Sequence, residues 1–122
     1  MKRLLFLLTL FVAANTLKAQ SISYIETTNA WYYIYNQDGK KSKTLSRSIG
    51  ELQGFSSSIF VVKSGAWYYI YDSRGIKIKT LSVSYVGEIL SVSGDTFTSR
   101  NGAWIYTWNK EGFKIATRSS HN

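Results

Sequence analysis

One stretch of 17 residues occurs three times in this 122-residue chain, and it limits the possible folds more than any other feature. It reads AWYYIYNQDGKKSKTLS at 30–46, AWYYIYDSRGIKIKTLS at 66–82 and AWIYTWNKEGFKIATRS at 103–119. Seven of the 17 aligned positions are identical in all three copies, and 12 match between the first two. Recurrence at a nearly fixed period predicts similar structural units that pack side by side.

Each copy predicts a β-hairpin. Its first half, WYYIY in two of the copies, is too short for a helix and rich in strand-forming residues. A four-residue turn follows, which opens with Asn or Asp and closes with a glycine able to take positive φ: Gly39, Gly75 or Gly112. A return strand that carries lysine completes the hairpin.

Further strands are expected upstream of each hairpin. The nearer ones are SYIET (23–27), IFVVK (59–63) and TFTSR (96–100). A short turn joins each of these strands to the Trp-bearing strand. In the first copy Asn29 replaces the glycine of that turn, and we expect it to fit because Asn tolerates the left-handed region. The farther ones are GELQGF (50–55) and GEILSV (87–92). The matching positions of the first copy fall at 14–19, so we expect eleven strands and one sheet with an unfilled place.

The expected fold is therefore all-β, with three tandem four-stranded antiparallel repeats over approximately 20–46, 47–82 and 83–119. The Trp residues that open the central strands are 36 and 37 positions apart. A period near 40 with four strands per unit is typical of propeller blades, although closed propellers usually have ~4–8 of them. Three blades, six blades completed by dimerisation, and a β-trefoil all stay open as alternatives.

The units also resemble the tryptophan-glycine (WG or KWG) repeats of bacterial secreted proteins. The shared features are an aromatic strand, an Asn/Asp-x-x-Gly turn and a lysine-bearing strand in the same order. The Trp-Gly dipeptide itself is missing, because Trp31, Trp67 and Trp104 are followed by Tyr, Tyr and Ile. The resemblance implies a secreted, propeller-like repeat protein.

The N-terminus predicts a signal peptide over 1–19. Lys2 and Arg3 precede an apolar run of 11 residues, LLFLLTLFVAA, and the sequence LKA ends at a small residue suited to cleavage. Such a run is shorter than the ~20 residues that span a bilayer as a helix. Cleavage after Ala19 would also remove Lys18, which lowers the net charge from +8 to +5.

The mature chain, 20–122, is expected to be a single domain in the periplasm or outside the cell. It has no Cys for disulfides or for a lipoprotein anchor, so burial alone must stabilise it. Its basic charge favours an acidic partner such as an acidic protein or an anionic glycan, while nucleic acid is not expected in that compartment.

No pattern of catalytic or metal-binding residues is recognisable. His121 is the only histidine and lies next to the C-terminus, so no cofactor or transition-metal site is expected. The acids are spread over turns and repeat junctions and do not pair: Glu26, Asp38, Glu51, Asp72, Glu88, Asp95 and Glu111. The sequence therefore predicts a protein that is not an enzyme.

Three sets of residues are candidates for packing or binding. The expected repeat core comprises Trp31, Trp67, Trp104, Tyr33, Tyr69 and Tyr106, together with the turn glycines. Tyr32 and Tyr68 lie on the opposite face of their strands and are candidates for stacking on sugar rings. The basic candidates for docking an acidic partner are Lys41, Lys43, Lys77, Lys79, Lys114 and Arg118.

These features predict an exported, non-catalytic binding module. The first hypothesis is a protein-binding role, in its concrete form an immunity-type protein that neutralises a toxin in the periplasm. A vacant sheet edge that accepts a strand from a partner would suit this role. The alternative is a lectin-like module for carbohydrate or envelope glycans, and a homo-oligomer that assembles through open sheet edges is a third reading.

Overall fold

The computed structural model describes residues 20–120, so the expected signal peptide and His121 lie outside the described part of the chain. The described residues confirm the all-β class. They form eleven strands: β1 (Ile22–Thr27), β2 (Trp31–Asn36), β3 (Lys41–Ser46), β4 (Glu51–Phe55), β5 (Ile59–Ser64), β6 (Trp67–Asp72), β7 (Lys77–Ser82), β8 (Glu88–Ser93), β9 (Thr96–Asn101), β10 (Trp104–Asn109) and β11 (Lys114–Ser119).

The strands form three separate antiparallel sheets, each a simple meander. The strand orders are β1-β2-β3 in the first sheet, β4-β5-β6-β7 in the second and β8-β9-β10-β11 in the third, so that β8 corresponds to β4. Corresponding strands pair with the same register in the first two sheets: Tyr24 opposes Tyr35 in the first, as Phe60 opposes Tyr71 in the second. The first sheet therefore has three strands where the others have four.

The four-residue turns form as expected, and the opening side chain explains why. In the first turn the Oδ1 atom of Asn36 accepts hydrogen bonds from the backbone N–H groups of Asp38 and Lys40, both at 3.0 Å. Asp72 and Asn109 accept the same pair of bonds in the second and third turns. The closing glycines take φ values of 76°, 79° and 85°, at Gly39, Gly75 and Gly112.

The shorter turns differ from expectation in the first copy. Gly65 and Gly102 have φ values of 59° and 60°, and each begins a two-residue turn with Ala as its second member. The expectation that Asn29 takes the left-handed region is wrong, because no residue other than glycine has positive φ among the described residues. The loop there is one residue longer, and Thr28 closes it with a backbone hydrogen bond to Trp31.

A single helical turn joins each sheet to the next. A 3-10 helix (Arg47–Ile49) follows the first sheet, and a one-turn α-helix, α1 (Val83–Val86), follows the second. Ser46 and Ser82 cap them through their hydroxyl oxygens, as serine does at many helix N-termini. Gly50 ends the first turn at φ 138°, where an added Cβ would come within 2.6 Å of the carbonyl oxygen of Lys63.

Two hydrophobic clusters hold the three sheets together. In one cluster Ile25, Tyr32 and Ile34 of the first sheet pack with Phe60 and Val62 of the second. In the other cluster the opposite face of the second sheet packs against the third sheet, with these buried members: Ile59, Val61, Tyr68, Ile70, Leu81, Val86, Phe97 and Trp108. The second sheet is thus covered on both faces, whereas each end sheet shares one cluster.

A buried tyrosine hydroxyl joins each sheet to the first strand of the next. The Tyr32 hydroxyl donates to the carbonyl oxygen of Gly50 at 2.6 Å and accepts from the backbone N–H of Leu52 at 3.0 Å. The Tyr68 hydroxyl donates in the same way to Gly87, at 2.7 Å. Ile105 has the equivalent place in the third sheet, after which the described residues form no further sheet.

We predict that Gly50→Ala is markedly destabilising, by about 3 kcal/mol, because the new Cβ adds a steric clash to a backbone that L-residues avoid. The matched control is Gly94→Ala, where φ is 54° but no atom lies within 4 Å of the added Cβ. That change should cost only about 1 kcal/mol. Urea unfolding of both variants measures the difference, and equal losses would contradict the close approach at Gly50.

Candidate functional site

The three repeated Trp residues are exposed, so the expectation that they belong to the core is wrong. Trp31, Trp67 and Trp104 retain 46%, 48% and 48% of their accessible surface. Each is the first residue of its strand, beside the short turn, and is paired with a small Ser on the return strand. The ring therefore lies at the margin of its sheet, where the neighbouring sheet does not cover it.

Tyr32 and Tyr68 are the residues that the core contains instead. Each is 2% exposed, and each hydroxyl makes the hydrogen bond to the next sheet described above. The face expected to be open is thus buried, while on the expected core face Tyr69 and Tyr106 pack against the clusters only in part. Because their rings are enclosed, these two residues offer no face on which a sugar ring could stack.

The remaining tyrosines of the expected core, Tyr33, Tyr69 and Tyr106, are half-buried, and each has a lysine amine over its ring. The Nζ atoms of Lys41, Lys77 and Lys114 lie 3.9, 4.4 and 3.7 Å from the respective ring centroids. Such cation-π contacts hold the amine near the surface while leaving part of it accessible.

The other basic candidates have different surroundings, so the six do not form one surface. The stems of Lys43 and Lys79 run beside the turn glycines of the next repeat, Gly75 and Gly112, where an added Cβ would meet the lysine Cγ atoms. Arg118 is exposed on the last strand, in the register position that Leu81 has in the second sheet.

The acidic residues of the described chain, 20–120, do not gather into a metal site. No cluster of three or more potential metal-ligating side chains is found there. An open depression of about 310 Å³ includes Asp72 and Asp95, but the Asp72 carboxylate already bonds its own turn and lies 3.4 Å from Arg74.

The most distinctive surface lies on the first sheet, and the sequence reasoning missed it. We call it the first-sheet aromatic face: Tyr24, Glu26, Trp31, Tyr33, Tyr35 and Lys41. Tyr24 is 56% exposed, whereas Phe60 and Phe97, which have the same register position in the other sheets, are 1% and 0% exposed. The corresponding faces of the second and third sheets are packed against a preceding sheet, whereas no sheet precedes this one among residues 20–120.

The opposite end of the molecule is different in chemistry. Its uncovered face carries Thr98, Thr107 and Arg118 in register positions where the second sheet has Val61, Ile70 and Leu81. Polar substitution of this kind is what terminal repeats of stacked proteins use to face water. The first end therefore exposes tyrosine and tryptophan rings, Tyr24 and Trp31 among them, where this face of the third sheet has Thr and Arg side chains.

The first sheet is also open along one edge. In the second and third sheets, β4 and β8 pair with the outer sides of β5 and β9. The equivalent side of β1 has no strand within the described part of the chain. At its start the Ile22 N–H donates to the Ser57 carbonyl oxygen, at 2.8 Å.

Glu26 and Tyr35 form the main polar contact of the aromatic face. The Tyr35 hydroxyl donates to the Glu26 carboxylate at 3.0 Å, and this bond is the largest cause of the raised pKa of Tyr35. In the core, burial raises the pKa of Tyr68 and of Tyr71. None of these groups titrates near neutral pH, so none indicates acid-base catalysis.

No family model, curated protein or solved structure matches the chain. The described residues also contain no helix with the length and apolar content needed to cross a membrane.

We predict that Tyr68→Phe lowers the free energy of unfolding by about 1 kcal/mol at neutral pH, because the Gly87 carbonyl loses its buried donor. The pKa of Tyr68 is raised in the folded state, so its protonated hydroxyl contributes its full stabilisation below the unfolded-state pKa near 10. That contribution is lost progressively as the pH rises through the folded-state pKa. The variant should therefore show a smaller loss of stability above pH 10 than the parent, in urea unfolding at a series of pH values. An unchanged alkaline profile would contradict a buried, hydrogen-bonded hydroxyl.

Proposed function

We propose that the chain is an exported, non-catalytic binding module whose ligand is another protein. One observation carries the proposal: within residues 20–120 the first sheet is incomplete both along the edge of β1 and over its aromatic face. The same register positions in the other sheets are filled from within the chain. A partner is the natural means of filling them in the first sheet.

The chemistry of the surface suits a protein partner. Tyrosine and tryptophan are the residues that dominate binding energy at protein interfaces, because they contribute large contact area with few rotatable bonds. The aromatic face has four such rings: Tyr24, Trp31, Tyr33 and Tyr35. The edge of β1 adds backbone donors and acceptors, which only a polypeptide in extended form can match along its length.

The concrete form of the proposal is an immunity-type protein that neutralises a toxin in the periplasm or outside the cell. A net charge of +5 after signal cleavage, with Lys41 on the aromatic face, favours an acidic partner and speeds its capture. This role suits a small exported domain without a recognisable catalytic motif, and it is inferred from that class of protein and not from a specific motif.

We also propose that the three sheets are blades of an open, propeller-like stack, as the resemblance to WG repeats implies. Three sequential antiparallel meanders, of three, four and four strands, support blades over a trefoil. On the outer face of the third sheet, Thr98, Thr107 and Arg118 replace the apolar Val61, Ile70 and Leu81 of the second sheet. This replacement supports an open end over a ring completed by a second copy, since those apolar contacts would be missing at that junction.

The test compares two tryptophans of equal exposure. The tagged protein is used to capture its partner from the exported fraction of its host grown with close competitors, and affinity for the purified partner is then measured. Trp31→Ala should weaken binding about 30-fold, the effect of losing one central interface residue. Trp104→Ala, on the third sheet, should leave binding within about twofold and serves as the matched control. Equal losses from the two variants, or no captured protein, would contradict the proposal.

Glycan binding is the second candidate, and the equal exposure of Trp31, Trp67 and Trp104 favours it. Three equivalent rings at sheet margins could each stack on a sugar. In that case Trp fluorescence should change on titration with envelope or capsular glycans, and each single Trp→Ala change should remove about a third of the signal. A loss confined to Trp31→Ala, or no response to any glycan, would count against three equivalent sugar sites.

A further inference from the structure

We propose that the partner binds by adding an extended, antiparallel segment to the open edge of β1, as the fourth strand of the first sheet. This inference rests on the proposed protein-binding function and specifies how the partner is recognised. The other two sheets show what such a strand looks like, because each contains one in the place that β1 leaves empty.

The two existing fourth strands define the register. Leu52 of β4 opposes Val62 and Gly54 opposes Val61, so that Gln53 is an extra residue. In the third sheet Ile89 opposes Ser99 and Ser91 opposes Thr98, which leaves Leu90 extra at the same place. Transferred to β1, this register places successive residues of the incoming segment opposite Thr27, Glu26, Ile25 and Tyr24, with one extra residue between the second and third.

Charge complementarity specifies the residue opposite Glu26. In the completed sheets the first residue of the added strand is acidic and opposes a basic one, as Glu51 opposes Lys63 and Glu88 opposes Arg100. On β1 the position of Lys63 is taken by Thr27, and a carboxylate, Glu26, appears one residue earlier. Opposite charges across antiparallel strands stabilise the pair, so the incoming segment should carry Lys or Arg opposite Glu26.

Packing between adjacent sheets specifies a small residue. A Cβ added to Gly54 of β4 would lie 2.9 Å from Cγ2 of Val92 in β8. Phe55 has the place in β4 that Val92 has in β8, since the two oppose Phe60 and Phe97 respectively. The residue opposite Ile25 would approach Phe55 in the same way, and because Phe is larger than Val, we expect glycine there.

Tyr24 shows that the vacant place affects its surroundings. Phe60 stacks on Tyr71 with ring centroids 5.0 Å apart, and Phe97 stacks on Trp108 at 6.0 Å. The equivalent ring of the first sheet, Tyr24, instead packs edge-on against Phe55 of β4, at 6.3 Å. Tyr24 thus contacts the fourth strand of the neighbouring sheet, which its equivalents do not, and we expect an incoming segment to change the surroundings of its ring.

The direct test uses peptides from this chain's own fourth strand. The probe is Gly-Glu-Lys-Gln-Gly-Phe, which is residues 50–55 with Leu52→Lys. We expect it to slow amide hydrogen exchange in β1 and to shift the Tyr24 ring resonances. The charge control, Gly-Glu-Glu-Gln-Gly-Phe, should bind about fivefold more weakly. The packing control, Gly-Glu-Lys-Gln-Val-Phe, should not protect β1.

A variant of the protein tests the register itself. Glu26 is exposed, so Glu26→Lys should fold, and it should reverse the preference so that the Glu-containing peptide binds better. Failure of all three peptides to protect β1 at millimolar concentration would overturn the inference, and so would a peptide preference that Glu26→Lys leaves unchanged. Concentration-dependent protection of β1 without peptide would also overturn it, in favour of a second copy as the occupant.

The outcomes separate this inference from the proposed function. A captured partner whose affinity is unchanged by Glu26→Lys, and whose complex leaves β1 exchange unaltered, would contradict strand addition while the binding function stands. Specific peptide binding without any captured protein would support a strand-accepting edge and contradict the proposed partner.

Discussion

The hydrogen bond from a buried tyrosine hydroxyl to the carbonyl oxygen of the following junction glycine determines how the sheets are arranged. Tyr32 and Tyr68 make this bond from the middle of one sheet to the start of the next. A phenolic hydroxyl enclosed in an apolar cluster must have a partner, and only a backbone passing close to it can provide one here. The junction glycine lets the chain pass close to the following strand, because a Cβ there would clash with the carbonyl oxygen of Lys63 at Gly50 and of Arg100 at Gly87.

This interaction has a direction, and the direction gives the molecule two unlike ends. The third sheet has Ile105 in place of the tyrosine, which needs no partner, and Thr and Arg side chains on its uncovered face. The first sheet keeps its aromatic residues, although no other sheet of the described chain covers their face. The same asymmetry leaves β1 without an outer neighbour among the described residues.

Strands and turns could be predicted from the sequence because their signals are local. The Asn or Asp that opens each long turn and the Gly that closes it act within five residues of chain. The strand count followed from the alignment of copies. What could not be predicted was which face of WYYIY is buried, since both faces are apolar and alternation alone does not rank them.

One difference between the copies did contain the answer. The residue after the Trp is tyrosine in the first two copies, but it is Ile105 in the third. The hydroxyl is missing in the one sheet that no further sheet follows among the described residues, which indicates that tyrosine at this position contacts the next sheet. The difference at Ile105 therefore indicates that Tyr32 and Tyr68 are contacts between sheets.

The central claim is that the first sheet has an open edge that the other sheets have filled. Amide hydrogen exchange of the purified, unbound protein, resolved by residue, tests it most directly. We expect β5 and β9, which are paired on both sides, to exchange slowly throughout. In β1 the N–H groups that point away from β2 should exchange much faster, except at Ile22, which bonds Ser57. Protection of every β1 amide to the level of β5 would show that the edge is already occupied and would contradict the account.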